Sequence, residues 1–160
     1  MKTTMRAVVC ALLLAAASTK AQQPSGKTTP SDDSDARPPV TKADVRIVER
    51  AKEILDSPAK WNRADTRVCP EEAKTFSLFC ALEKATHDVT GQFEHRGAAM
   101  QEARFVIEEV APDWRKKYNH RLMGYNNDSA TTFADIQKVL SLLQERINKR
   151  LAAESAPSQK

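Results

Sequence analysis

The sequence predicts an all-α domain of four or five helices, orthogonal or bundle-like, and three observations carry that expectation. Between residues 42 and 151, apolar residues recur at the three- and four-residue intervals of amphipathic helices. Residues that start and stop helices stand at the edges of those runs. The alternation of a half-buried strand is nowhere convincing, and the 160 residues include four glycines.

The first helix is expected over 42–56, where Ala43, Ile47, Val48, Ala51, Ile54 and Leu55 fall on one stripe. Thr41 is placed to cap its start, with Asp44 three residues on. Ser57-Pro58 ends it, because the residue before proline avoids helical geometry. A second helix is expected over 70–86. Pro70, Glu71 and Glu72 suit its positive end, and FSLFCAL supplies a fully buried face. A third is expected over 92–110, with Ala99, Ala103, Val106, Ile107 and Val110 as its stripe and Pro112 beyond its end. The fourth starts at Thr131 or Thr132 and runs to 151. Thr132 and Asp135 have capping-box spacing, and Ile136, Val139, Leu140, Leu143 and Ile147 form its core stripe. Between them, 112–130 reads as a long irregular segment whose Trp114, Tyr118, Leu122, Met123 and Tyr125 pack on the bundle. About 110 residues is an ordinary length for one domain with its own core.

The ends of the chain differ from this middle. Lys2 and Arg6 precede an apolar run from Ala7 to Ala17, and the small residues Thr19 and Ala21 mark cleavage before Gln22. This is the layout of a signal peptide over 1–21, so the protein is expected to be exported, periplasmic or secreted. The apolar run falls short of the roughly 20 residues that span a bilayer, so no integral membrane span remains after cleavage. Residues 22–41 hold four of the eight prolines and no aromatic residue, and read as a disordered linker. Residues 152–160 read as a disordered tail.

Charge and cysteines narrow the function classes. The net charge of +4 comes from 25 basic and 21 acidic residues. Lys2, Arg6 and Lys20 leave with the signal, so the mature chain is near neutral and gives no argument for nucleic acid. Cys69 and Cys80 remain, in a compartment that favours disulfides. On one continuous helix their Cα atoms would be about 16 Å apart, beyond the roughly 4.4–6.8 Å that a disulfide needs. The bridge forms only if Cys69 lies in a loop that folds back on the helix of Cys80, and both alternatives stay open. Their spacing is not that of a redox pair or a zinc site.

Few residues suggest chemistry. His87, His95 and His120 lack helical metal spacing, and no nucleophile elbow, Gly-rich phosphate loop or other cofactor motif is present. The basic-aromatic cluster Trp114, Tyr118, His120 and Arg121 suggests contact with an anionic partner. The blander alternative makes the aromatics core lids and the cations solvated. Asn127 and Asp128, before the last helix, either converge with that cluster on a small ligand or bond loop and helix-start N–H groups.

In the order ILDSPAKWNR, SLFCALEKA and NNDSATTFADIQKVLSLLQERI, the chain resembles the bacterial domain of unknown function family 6197. The resemblance spans residues 45–147 and rests on Pro58, Trp61, Cys80, Ala81, Asn127, Asp128 and Thr132. The family pattern has Trp where Phe79 stands and Gly where Glu83 stands, and export signals are not typical of it. The resemblance implies a buried Cys80, which weighs against the disulfide, and it implies no activity. The function expected is a non-enzymatic extracytoplasmic binding or accessory protein, with an extracytoplasmic protein as partner. The rival is a small hydrolase or ligand-binding enzyme using His120, Asn127 and Asp128 in the 112–130 loop.

Overall fold

The structure, a computed structural model, describes residues 37–156. The signal peptide expected over 1–21 and the linker as far as residue 36 lie outside the described residues, as do residues 157–160. The fold is all-α. In chain order the helices are α1 (Lys42–Ile54), α2 (Leu78–Thr90), α3 (Ala98–Val110), α4 (Trp114–Lys117), α5 (Arg121–Asn127) and α6 (Phe133–Ser155), with a 3-10 turn at Pro58–Lys60.

The two capping boxes form as their spacing requires. Thr41 Oγ1 accepts from Ala43 N, and Asp44 Oδ2 accepts from Thr41 N at 2.8 Å. At α6, Thr132 Oγ1 accepts from Asp135 N at 3.2 Å and Asp135 Oδ2 accepts from Thr132 N at 2.9 Å. Each box satisfies donors that a helix start otherwise leaves without partners. The buried stripe of α6 is the expected one, and Ile136, Val139, Leu140, Leu143 and Ile147 are all fully enclosed. It packs on α1 and α3, while α1 also lies along α2. Burying each such side chain contributes about 1.5–3 kcal/mol.

Several boundaries differ from expectation, and the last helix is one of them: α6 runs to Ser155, through the first residues of the expected tail. The second helix starts at Leu78, not near residue 70, with Ser77 Oγ accepting from Cys80 N at 3.1 Å. The preceding chain is held by distant backbone instead. Phe76 N donates to Lys60 O at 2.8 Å, and Asn62 N donates to Phe76 O at 2.9 Å. This short parallel bridge between Trp61 and Phe76 is the one extended pairing among the described residues. The third helix starts at Ala98 rather than 92, because α2 runs on to Thr90 and closes at Gly91 in the left-handed region, φ 79°. The 112–130 segment is not irregular: it forms α4 and α5.

Packed structure also begins before Lys42. Val40 is buried, its N–H donates to Glu154 Oε2 at 2.8 Å, and Arg150 donates to Pro38 O at 3.0 Å. Arg37 stacks 3.8 Å over the Phe105 ring. Beneath lies Glu102, wholly buried on α3, paired with Arg150 at 2.7 Å and with Arg37 and Arg146 at 3.6 Å. A buried carboxylate is tolerated only when surrounded in this way.

Candidate functional site

Cys69 and Cys80 are joined in a disulfide with Cα atoms 5.4 Å apart. The loop alternative is the one the chain adopts. Because α2 starts only at Leu78, Cys69 stands outside it and folds back onto its first turn. Cys80 is both buried and bonded, so the burial that the resemblance implied does not oppose the bridge. In the same loop Asp65 Oδ1 accepts from Arg67 N at 2.7 Å and supports Arg67 at φ 60°.

The disulfide borders an open recess of about 520 Å³ with Glu83, Lys84, His87 and Asp88. Burial raises the pKa of Glu83. Burial also pushes Asp88 upward, but hydrogen bonds from Arg50 at 2.8 Å and Lys84 at 3.0 Å outweigh it and hold the carboxyl below its ordinary value. His95 is half-buried. Its ring forms a three-ring cluster with Phe79 and Phe93, with centroids at 5.9 and 6.1 Å.

The residues expected to form one site in 112–130 divide into four groups. Trp114 and Arg121 are internal. Arg121 is 1% exposed, pairs with Glu108 at 3.0 Å, and lies 4.8 Å from the Trp114 ring and 5.5 Å from Phe105. It is therefore a packing element between α5 and α3, not a solvated cation. Asn127 clamps the Cys69 loop. It accepts from Asp65 N and donates to Asp65 O, both at 2.8 Å. His120 occupies the N-cap position of α5, makes no side-chain cap there and does not line the recess described next.

Tyr118 and Asp128 do meet. The Tyr118 hydroxyl donates to Asp128 Oδ2 at 2.6 Å, and Ala130 N donates to Asp128 Oδ1 at 2.9 Å. They line a recess of about 270 Å³ with Tyr125, Asp135, Asp113 and Lys117, between the end of α3, α5 and the start of α6. The hydrogen bond from Tyr118 and that from Ala130 lower the Asp128 pKa. Burial raises both tyrosines: Tyr118 also through its bond to Asp128, and Tyr125, pushed up to about 12, also through the charges of Asp135 and Asp128. Gly124 sets the Tyr118 position, since a Cβ there would stand 2.3 Å from Tyr118 Cβ.

Sequence reasoning missed Tyr125 and Asp135 as members of this group. No local signal pairs Tyr125 with Tyr118, since Tyr118 ends α4 and Tyr125 lies within α5, and Asp135 was already accounted for by its capping role.

The arrangement defines a small all-α domain with a disulfide-tied connecting loop and recesses on its surface. The model of a family of unknown function, DUF6197, matches residues 39–145, and the chain belongs to that family. No curated protein and no solved structure matches it. Among the described residues no helix is long and apolar enough to cross a membrane.

Proposed function

We propose that this protein is an exported binding or accessory domain that works outside the cytoplasm, with an extracytoplasmic protein as its partner. The observation that carries the reading is the Cys69–Cys80 bridge, which ties the loop between α1 and α2 to the start of α2. Such bonds persist in oxidising compartments and are rare where thiols are kept reduced. It agrees with the signal-like layout of residues 1–21. The binding role is supported by how the polar side chains of 112–130 are engaged. Arg121, Asn126 and Asn127 hold α3, the Trp61 segment and the Cys69 loop, which is architectural work. Asp128 lines the recess beside α5, whereas His120 and Asn127 do not, so the three do not assemble as an acid–base group there.

The test is to express the full chain in its host, fractionate the cells, and determine the mass and thiol content of the product. Export predicts a chain beginning at Gln22 with Cys69 and Cys80 oxidised, and enrichment of one partner by the mature domain from extracytoplasmic extracts. An uncleaved chain in the cytoplasm carrying two free thiols at these positions would refute the reading.

A further inference from the structure

The recess beside α5 presents hydrogen-bond acceptors that the fold itself does not use. Tyr125 is 8% exposed, lines the recess, and its hydroxyl makes no hydrogen bond to any described residue. The ring is enclosed, while the hydroxyl opens to the recess, where a ligand can donate to it. Beside it stand two carboxylates with no ion-pair partner among the described residues. Asp128 accepts one hydrogen bond at each oxygen, from Tyr118 and from Ala130. Asp135 accepts both its capping bonds at Oδ2, which leaves Oδ1 open. Each ionised oxygen has two acceptor sites, so both groups retain capacity. Asp113 adds a third negative charge to the wall, and the rings of Tyr118 and Tyr125 offer π faces.

The cations around the recess do not fill it. Arg63 does not line it: its guanidinium donates to the carbonyls of Asp128 and Ser129 at 3.0 and 3.1 Å, and its charge, like that of Lys117, acts on Asp128 without forming an ion pair. Lys138 lies one turn along α6 from Asp135. Lys117 is exposed at the rim and makes no ion pair with either carboxylate. The negative field of Asp135 and Asp128 that opposes ionisation of Tyr125 is the field that draws a cation in.

We propose that the recess formed by Tyr118, Tyr125, Asp128 and Asp135 recognises an organic cation, an ammonium or guanidinium group carried on an alkyl stem. The cation donates to the Tyr125 hydroxyl and to the open oxygens of Asp128 and Asp135, and its stem lies against the tyrosine rings. This rests on the reading of the protein as a binding domain and names the chemistry its partner supplies. Lys117 is the internal competitor, since its own ammonium is tethered at the rim.

The test is an NMR titration of the oxidised mature domain, read at the Tyr118 and Tyr125 rings. The probes are N-acetyl-arginine methylamide, N-acetyl-lysine methylamide, putrescine, and the neutral N-acetyl-glutamine methylamide. At least one cationic probe should give saturable shifts and the neutral probe none. Asp128→Asn, with its fold verified by its amide spectrum, should weaken binding about tenfold, and Lys117→Met should strengthen it. Tighter binding of the blocked amino acids than of putrescine places the cation on a polypeptide, and the reverse order makes it a free amine. No saturation by any cation, equal shifts from the glutamine probe, or undiminished affinity in Asp128→Asn overturns the proposal. Partner capture that persists under those results would leave the broader binding role standing.

Discussion

The indole N–H of Trp61 donates to Oδ1 of Asn126 across 2.9 Å, joining positions 65 residues apart in the chain. The same oxygen accepts from Leu78 N at 3.0 Å, and Asn126 Nδ2 donates to Asn62 O at 3.0 Å. Asn126 is wholly buried. One amide therefore joins α5, the bridge segment and the start of α2, and keeps their polar groups satisfied away from water.

Asn126→Ala should cost about 3 kcal/mol. It leaves the buried Leu78 N–H and the half-buried Trp61 indole N–H and Asn62 O without this partner, each worth about 1–3 kcal/mol when stranded, with partial relief by entering water. Urea unfolding followed by circular dichroism measures this. A change under about 0.5 kcal/mol, the scale of ordinary surface substitutions, would show that the amide does not hold the junction.

The two tyrosines in the sequence should report on burial of the recess. Tyr118 and Tyr125 both have raised pKa values, Tyr125 to about 12. An unfolded tyrosine ionises near about 10. Their folded values lie above the unfolded one, so the stability they contribute is fully present below about pH 10 and is lost as pH rises towards about 12. Phenolate absorbance of the native chain should stay flat through about pH 10.5, while urea-unfolded chain titrates normally. A native titration near pH 10 with the amplitude of even one tyrosine contradicts the enclosed geometry.

What was legible in the sequence was what is encoded locally. The Thr41–Asp44 and Thr132–Asp135 boxes lie within one turn, and the α6 stripe repeats at the helical period, so each is read from neighbours. The start of α2 was not legible, because Pro70-Glu71-Glu72 has the composition of a helix start. What overrides it is non-local: Phe76 bonded to Lys60 and Cys69 bonded to Cys80. The candidate site was half legible for the same reason. Tyr118 and Asp128 were both singled out, but that Arg121 turns inward to Glu108, and that Asn127 is used on Asp65, depends on elements far away in sequence.

Reducing the disulfide should lower stability by about 3 kcal/mol, the loop-closure value for a short closed loop. The bridge joins residues 11 apart. Because Asn127 also holds Asp65, the loop is restrained at a second point in the folded state, and reduction should act mainly by freeing the unfolded chain. Unfolding midpoints with and without a phosphine reductant measure the effect. Identical midpoints, with reduction verified by thiol count, would remove the bridge as a stabilising element.

Gly124→Ala should disturb both stability and the charge state of Asp128. A Cβ at Gly124 would stand 2.3 Å from Tyr118 Cβ and 2.5 Å from Tyr118 Cγ, closer than packed carbons approach, so the Tyr118 ring must move. Overpacking of this kind costs about 1–3 kcal/mol. Moving the ring also withdraws the hydroxyl that bonds Asp128 at 2.6 Å, the largest cause of its lowered pKa. A carboxyl with a depressed folded pKa contributes stability that is present above its unfolded value of about 3.9 and lost as pH falls through the folded value. The variant has less of that contribution to lose, so its stability deficit should narrow in acid. Carbon NMR of the Asp128 carboxyl should show its titration moving up towards the ordinary value in Gly124→Ala. Tyr118→Phe should reproduce that upward shift without the clash. An unshifted Asp128 in Tyr118→Phe would mean that the hydroxyl does not set its charge, and that the recess draws its negative field from elsewhere.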